Sequence, residues 1–375
     1  MTIRSALIAT TGAAALLAGL ALAPPAPEAA SGHDPVRAAL AETMRLDDWP
    51  AAFAATTDER GKTRTYAAGV VELGTSTKVS RDSSLRIGSN TKTFTAAVVL
   101  QLVAEGEIDL DATVESYLPG VLDHPEVTGA DVTVRQLLQH TAGLPDLDDD
   151  VFANIVEWQH RYISPRSALD IALTEPVTGA PGEAFSYSNT HYILAGLIVE
   201  AVAGRPFSEV VHERILAPLG LDDTYMPDQG EQVIRGKHPH SYIPVDGESL
   251  DYTDFDPSWG FTAGAMVSTT SDLTAFYAAL AQGDVVPADL LAEMQTTIPT
   301  TGLWEGARYG LGLISFDLSC GVTAWGHGGD VPGTQSRVAA TEDGRSAAIV
   351  VTRNATTAEG EARLRAFLDT AICSQ

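Results

Sequence analysis

Hydrophobic and polar residues follow a regular spacing along most of the chain, and this spacing predicts its helices and strands. Apolar residues recur at helical intervals over residues 34–46, and residues 51–72 alternate around a Gly-Lys turn, which predicts a hairpin of two strands. Residues 89–105 have a strong helical pattern in which Gln101 is the only large polar residue between Thr93 and Ala104, and Gly106 follows them. Such a pattern predicts a helix that is buried on nearly all sides at the centre of the fold.

The later part of the chain divides into a helical stretch and a strand-rich stretch. Helical patterns and long loops fill residues 101–264, whereas short strand-like runs separated by glycine turns follow residue 309, and a helix over residues 361–372 closes the chain. Strands near both termini predict one sheet lobe made of residues 34–100 and 265–375, with a mainly helical lobe inserted between them. We expect a catalytic cleft between the two lobes.

The first thirty residues have the features of a targeting segment. Arg4 precedes an apolar stretch over residues 6–23, and a stretch rich in Pro and Ala follows it over residues 24–30. This order is typical of a secretory signal peptide, so we expect cleavage between residues 23 and 30 and secretion of the mature protein. The alternative is a membrane anchor, which fits less well because the stretch is rich in Ala, Gly and Thr.

Charge and cysteine content narrow the class of protein further. The formal net charge of −26 excludes binding to nucleic acid through phosphate contacts, and it gives the chain no charge-based affinity for anionic lipid. The two cysteines are Cys320 and Cys373. Two thiols in an exported protein suggest one disulfide, the alternative being two free buried thiols.

Ser89 and Lys92 form the first candidate catalytic motif. Ser89 opens the predicted buried helix, where its side chain meets backbone N–H groups and the positive end of the helix dipole, and both stabilise an oxyanion. Lys92 lies three residues further on the same helix face and can reach the Ser89 hydroxyl. Burial and the helix dipole both disfavour an ammonium there, which makes a neutral amine accessible as a base. The alternative interpretation is a serine that only caps the helix.

Two further motifs contain residue types suited to the same chemistry. Tyr187 and Asn189 stand in Tyr-Ser-Asn just before a predicted helix, and His327 and Gly329 stand in His-Gly-Gly-Asp after a predicted strand that ends at Trp325. Taken singly, the first motif suggests an ordinary loop and the second a glycine turn. No zinc-binding helix and no Cys-x-x-Cys pair is present in the sequence, and we expect no metal or cofactor.

Together the three motifs resemble those of the serine β-lactamase and penicillin-binding protein clan, in the variant of secreted serine D-alanyl-D-alanine carboxypeptidases and class C β-lactamase-like hydrolases. The similarity extends to four longer segments, which are residues 88–118, 132–144, 181–189 and 309–329. The resemblance implies an α+β fold of the β-lactamase/transpeptidase-like type, in which helices flank an antiparallel sheet and a helical lobe is inserted. It also implies that the two cysteines pair.

The resemblance implies a role for each motif residue. Ser89 would attack a carbonyl carbon and form an acyl-enzyme, while Lys92 and Tyr187 would share the general acid and base steps in an order that the sequence leaves open. Asn189 would hold the substrate amide and the Lys92 side chain. His327 would line the opposite wall of the site and form a hydrogen bond toward Tyr187.

Other residues complete the implied site. The backbone N–H groups of Ser89 and Asp330, beside Gly329, would form the oxyanion hole. Trp259 resembles a residue of the family's substrate pocket, the alternative being packing in the hydrophobic core.

The sequence departs from true carboxypeptidases where they recognise a terminal carboxylate. Close relatives use an arginine in the strand before the first cysteine, together with hydroxyls around the third motif. Here residues 313–318 contain no arginine, and Gly328 and Asp330 occupy the hydroxyl positions. A carboxylate near Asp330 would be repelled, and Asp146 belongs to an acidic loop that could border the cleft or simply be solvated. Arg337 could replace the missing cation, although strand alternation does not show which way it points.

These observations leave four functions. The resemblance places a D-alanyl-D-alanine carboxypeptidase acting on peptidoglycan peptides slightly first, whereas the missing arginine favours an esterase, a D-amino-acid amidase or a D-aminopeptidase. A β-lactamase and a penicillin-binding module that does not turn over are the other two. We expect small peptide, ester or amide substrates, β-lactams as acylating ligands, a monomer and no membrane anchor.

Overall fold

An eight-stranded antiparallel sheet forms the centre of the structure, a computed structural model that describes residues 34–147, 151 and 153–375. The strands of the protein are β1 (Ala51–Thr57), β2 (Thr63–Gly69), β3 (Leu85–Arg86), β4 (Asp123–His124), β5 (Val127–Thr128), β6 (Tyr242–Val245), β7 (Glu248–Asp251), β8 (Val267–Ser268), β9 (Ile298–Pro299), β10 (Arg308–Tyr309), β11 (Ile314–Asp317), β12 (Thr323–Val331), β13 (Thr334–Ala340) and β14 (Ser346–Val351). The central sheet has the strand order β2-β1-β14-β13-β12-β11-β10-β9. Both the early and the late part of the chain contribute strands to it, which confirms the predicted α+β fold.

Most of the described helices lie in the middle of the chain. None of them has the length and the continuous apolar character needed to cross a membrane. The predicted signal peptide lies outside the described residues, and the predicted boundaries between the lobes stay a prediction. The α-helices are α1 (Pro35–Leu46), α2 (Thr91–Ala104), α3 (Val114–Tyr117), α4 (Val134–Leu138), α5 (Ile155–Trp158), α6 (Pro165–Ala172), α7 (Asn189–Ala203), α8 (Phe207–Val211), α9 (Ala217–Leu219), α10 (Phe261–Gly264), α11 (Thr270–Ala281), α12 (Ala288–Met294) and α13 (Ala358–Cys373).

Alternate residues of the central strands enter two different hydrophobic cores. Phe53 of β1 and its partner Val350 of β14 belong to the larger core, on the side of α11. Their neighbours Ala54 and Ile349 belong to a second core, which α1 and α13 cover. Successive side chains of a strand point to opposite faces, so burial of both faces removes the usual alternation of polar and apolar residues. This explains why β1 is buried along its whole length.

Helix α2 runs through the larger core, and most of its residues are fully buried, as its apolar sequence predicts. Its Phe94 ring stacks on Phe276 of α11 with 3.7 Å between ring centroids. The helix begins two residues later than predicted, because Gly88–Asn90 forms a short 3-10 turn that contains Ser89. The chain leaves the helix at Gly106, whose φ of +76° suits a residue without a Cβ.

Reduction of the disulfide should lower the melting temperature by several degrees. Cys320, in the turn after β11, is bonded to Cys373 at the end of α13, and this bond closes a loop of 53 residues. A loop of that length corresponds to a stabilisation of about 4 kcal/mol. Thermal unfolding with and without reductant measures the effect. A Cys320→Ser, Cys373→Ser double variant should melt at the lower temperature in both conditions, and equal melting temperatures for the unaltered protein would contradict the prediction.

Candidate active site

Ser89 and Lys92 meet at the N-terminal end of α2. The Nζ atom of Lys92 donates a hydrogen bond to Ser89 Oγ at 3.0 Å. Although Lys92 is fully buried, Nζ also donates to Asn189 Oδ1 at 2.5 Å and to the carbonyl oxygen of Ala263 at 2.9 Å. These three acceptors match the three donors of an ammonium and offset the cost of burying it. The sequence motif thus brings a buried lysine into contact with the serine hydroxyl.

Asp146 holds Asn189 from the side opposite to Lys92. The backbone N–H and the side-chain Nδ2 of Asn189 donate to Asp146 Oδ2, at 2.9 and 3.3 Å. Because Nδ2 is engaged there, the Oδ1 atom of the same amide faces Lys92. The carboxylate also interacts favourably with the positive end of the α7 dipole. The acidic loop gave no indication of this contact, because the two residues are 43 positions apart and no periodic pattern connects them.

Strand β12 passes directly beside the Ser89 turn because two glycines permit the approach. A Cβ atom at Gly88, whose φ is +52°, would lie 2.8 Å from the backbone nitrogen of Asp330. A Cβ atom at Gly329 would lie 1.9 Å from the carbonyl oxygen of Ile87. The Asp330 backbone nitrogen is therefore next to the turn that carries Ser89. Two backbone N–H groups at such a junction can stabilise one oxyanion.

The imidazole of His327 is bonded to Tyr309, and the predicted hydrogen bond toward Tyr187 is wrong. Its Nδ1 donates to the carbonyl oxygen of Gly328 at 2.5 Å, which leaves Nε2 as the acceptor for the Tyr309 hydroxyl at 3.0 Å. The Tyr187 ring lies 6.4 Å from the His327 ring, centroid to centroid. His327 is also inside β12 and does not begin a turn, since the strand continues beyond the predicted end at Trp325.

Three buried histidines lie close to the catalytic motifs and are held neutral. Burial, followed by the charge of Lys92, lowers the pKa of His191 and of His327 to about 3. Burial also lowers the pKa of His140 well below its ordinary value. The His140 ring packs against Tyr187 with 4.1 Å between centroids, and His191 Nδ1 lies 3.0 Å from its Nδ1. Neutral rings in this position place no competing positive charge beside Lys92.

The free energy of unfolding should fall as the pH drops from about 6.5 toward 3, since histidines in the unfolded chain protonate near pH 6.5. In the folded chain His191 and His327 stay neutral down to about pH 3, so the unfolded state binds more protons in this window. Each such histidine lowers the free energy of unfolding by about 1.4 kcal/mol for every pH unit of this decrease. Asp272 has the opposite effect, because burial raises its pKa to about 6, and it offsets the contribution of one histidine.

Urea unfolding at pH 7, 6 and 5 measures this slope. A variant at an exposed histidine, His212→Gln, should show the same slope as the unaltered protein. A free energy of unfolding that stays constant from pH 7 to pH 5 would contradict the assignment of neutral buried histidines.

A cavity of about 700 Å³ opens over the Ser89 hydroxyl. The residues that line it come from the three motifs, from the loop before β10, from strands β11 and β13, and from α13. Trp259 does not contribute to this lining among the described residues; its side chain is 5% exposed and packs in the larger core. The predicted site residues at the cavity are Ser89, Tyr187, Asn189, His327 and Asp330, with Lys92 bonded to Ser89 beneath it.

Arg337 lines the cavity, so its side chain points toward the active site, which the sequence had left open. Its positive charge is shared between two carboxylates. Its guanidinium donates to Asp330 at 2.9 Å and to Glu361 at 2.6 Å. Burial alone lowers the pKa of Arg337, yet the two carboxylates outweigh this effect and raise it above its ordinary value. A Cβ atom at Gly328 would lie 2.9 Å from Arg337 Nη1, so the glycine leaves room for the guanidinium.

The fold and the contact between Ser89 and a buried lysine define a serine hydrolase of the β-lactamase and penicillin-binding protein clan. The Beta-lactamase family model matches residues 36–371, and the chain belongs to this family. The similarity implied by the three sequence motifs is therefore confirmed.

Relatives of this chain include penicillin-binding proteins and amidases. Penicillin-binding protein 4 of Amycolatopsis lactamdurans is 27% identical over 287 residues, which are 72% of this chain and 72% of the relative. The structure of a D-stereospecific amidohydrolase from Streptomyces sp. is similar with a TM-score of 0.82 and 34% identity, over 92% of this chain and 99% of that one. The D-amino acid amidase of Ochrobactrum anthropi SV3 gives a TM-score of 0.79 and 26% identity, over 91% and 98%.

Proposed function

We propose that this protein is a secreted hydrolase that cleaves amide bonds of D-amino acid derivatives through an acyl-enzyme on Ser89. The observation that carries this proposal is the pairing of Arg337 with Asp330 and Glu361, since the arginine nearest the third motif is already neutralised. A carboxylate attached directly beside the scissile bond would meet the Asp330 side chain without a free cation next to it. This favours the amidase alternative over a D-alanyl-D-alanine carboxypeptidase.

The carboxylates around Arg337 support a substrate with a free amine, because Asp330 and Glu361 bring two negative charges against the one positive charge of Arg337. The Asp330 side chain, about half exposed, faces the cavity from the third motif. An α-amino group carries a positive charge at neutral pH, so the amides of free amino acids fit these surroundings better than acylated peptides with a terminal carboxylate do. The Streptomyces amidohydrolase and the Ochrobactrum amidase, similar over nearly their whole lengths, support the same class of substrate.

The proposed reaction assigns each group a step. Ser89 Oγ attacks the amide carbonyl carbon, and its proton passes to the pair formed by Lys92 and Tyr187. The N–H groups of Ser89 and Asp330 hold the oxyanion. When the C–N bond breaks, the same pair returns a proton to the leaving amine. Water then attacks the ester carbonyl carbon and gives a proton to the same pair, which passes it to Ser89 Oγ as the C–O bond breaks and the D-amino acid leaves.

The proposal is tested by comparing two rates. One is the release of ammonia from D-phenylalanine amide, and the other is the release of D-alanine from an acylated peptide that ends in D-Ala-D-Ala. We expect kcat/KM to be at least about tenfold higher for the amide, and also higher than for L-phenylalanine amide, because about 1.4 kcal/mol of differential binding already gives a factor of ten. A Ser89→Ala variant is the blank for each substrate. Faster release of D-alanine from the peptide would contradict the proposal and favour the carboxypeptidase.

Secretion is tested separately from activity. The mature protein should be found in the culture medium with an N-terminus between residues 24 and 31, as N-terminal sequencing would show. Retention of residues 1–23 on the exported protein would contradict cleavage.

A further inference from the structure

Arg365 of α13 is a second arginine at the cavity, and it differs from Arg337 in its contacts. Its side chain is 27% exposed, and it lines the same cavity as Ser89. The nearest carboxylate atom among the described residues, Oε2 of Glu361, is 3.8 Å from Arg365 Nη1, beyond hydrogen-bond distance. On its other side the Arg365 guanidinium lies 5.3 Å from the centroid of the Trp304 ring.

Glu361 is the acid closest to Arg365, but other donors already occupy both of its oxygens. Oε2 accepts from Arg337 Nη2 at 2.6 Å, and Oε1 accepts from Gln335 Nε2 at 2.5 Å. The charged groups therefore form a row that runs from Asp330 through Arg337 and Glu361 to Arg365. Arg337 and Glu361, inside this row, have hydrogen-bonded partners on two sides. Arg365, the last residue of the row, lies at the open cavity.

We propose that Arg365 binds a carboxylate that the substrate carries at some distance from the scissile bond. This inference rests on the proposed amidase function and names a further chemical feature of its substrate. The cation–π contact with Trp304 holds the guanidinium at the cavity, and its N–H groups suit a planar bidentate partner, which a carboxylate provides.

The order of the four charged residues in this row indicates which part of the substrate carries the carboxylate. Asp330 is next to the proposed oxyanion hole, and Arg337 and Glu361 separate it from Arg365. A carboxylate adjacent to the scissile bond would approach Asp330, while one carried by a side chain or by the far end of the leaving group reaches Arg365. Both sources present the same chemical group, and an experiment can separate them.

Two matched substrate pairs distinguish the sources. For the leaving group, the 4-carboxyanilide of D-phenylalanine is compared with its neutral 4-carbamoylanilide. For the acyl side chain, D-glutamate α-amide is compared with D-glutamine α-amide. At low ionic strength we expect kcat/KM to favour the carboxylate by about tenfold or more in one pair, mainly through KM, and that pair identifies the source.

Substitution of Arg365 should remove this preference. In Arg365→Gln the ratio of carboxylate to neutral substrate should fall toward one, and Arg365→Lys, which keeps the charge without the bidentate geometry, should restore part of it. The matched control is Arg363→Gln on the same helix, where the arginine bonds to Asp47 outside the cavity and the ratio should not change. A ratio below about two in both pairs for the unaltered protein, or a preference that survives in Arg365→Gln, would overturn the proposal.

A binding measurement separates this inference from a failure of the amidase proposal. The Ser89→Ala variant is titrated by calorimetry with 4-acetamidobenzoate and with the neutral 4-acetamidobenzamide, so no turnover is needed. Binding of the benzoate at least about tenfold tighter, lost when Arg365→Gln is added, supports a carboxylate site even if no amide is hydrolysed. Equal dissociation constants for these two ligands, together with equal constants for D-glutamate α-amide and D-glutamine α-amide, would overturn it.

Discussion

Replacement of Ser89 by alanine should abolish both amide hydrolysis and covalent labelling by penicillin. The Ser89 hydroxyl is the atom that Lys92 contacts at 3.0 Å, and it lies at the cavity beside the Asp330 backbone nitrogen. Alanine removes the oxygen that forms the acyl bond, and loss of a nucleophile of this kind lowers kcat by about 10⁶-fold. Steady-state rates and the intact mass of the protein after incubation with penicillin measure the two effects.

An exposed serine outside the cavity provides the control for this experiment. Ser116→Ala, on α3, should keep full activity and full labelling. The melting temperature of Ser89→Ala should stay close to that of the unaltered protein, because one hydroxyl is removed at a partly exposed position. An adduct of penicillin on Ser89→Ala would refute the assignment of the nucleophile.

Replacement of Lys92 by methionine should slow acylation by penicillin about 10²- to 10⁴-fold, the range that a general acid or base contributes, while the protein stays folded. Methionine is unbranched and can fill the buried space of the lysine chain. It leaves Asn189 Oδ1 and the Ala263 carbonyl without their donor, which costs about 1–3 kcal/mol for each buried acceptor. We therefore expect a lower melting temperature together with cooperative unfolding.

The rate of penicillin adduct formation and a thermal melt test the Lys92→Met variant together. Lys62→Met, at an exposed position in the β1–β2 turn, is the matched substitution and should leave both quantities unchanged. Acylation at the original rate in Lys92→Met would mean that another residue, with Tyr187 as the first candidate, takes the serine proton alone.

The sequence alone was enough to predict the features that depend on contacts between residues close together along the chain. The β1–β2 hairpin and the buried helix α2 formed where the hydrophobic pattern predicted them, apart from the 3-10 turn at Ser89. The contact between Ser89 and Lys92 was also predictable, because residues three apart are neighbours in an α-helix and in the 3-10 turn that contains Ser89 here. The disulfide needed only a count of two cysteines and an expectation of export.

Only the tertiary structure decided how distant residues set the charge and shape of the cavity. Asp146 meets Asn189, and Tyr309 meets His327, through the packing of separate elements that no local pattern records. The direction of Arg337 was open in the sequence because β13 is buried on both faces, so alternation carried no information about which face borders the cavity. The physical reason is that the spacing of apolar residues reflects only the surroundings of one helix or strand. The charge and shape of the cavity depend on which helices and strands the fold brings together.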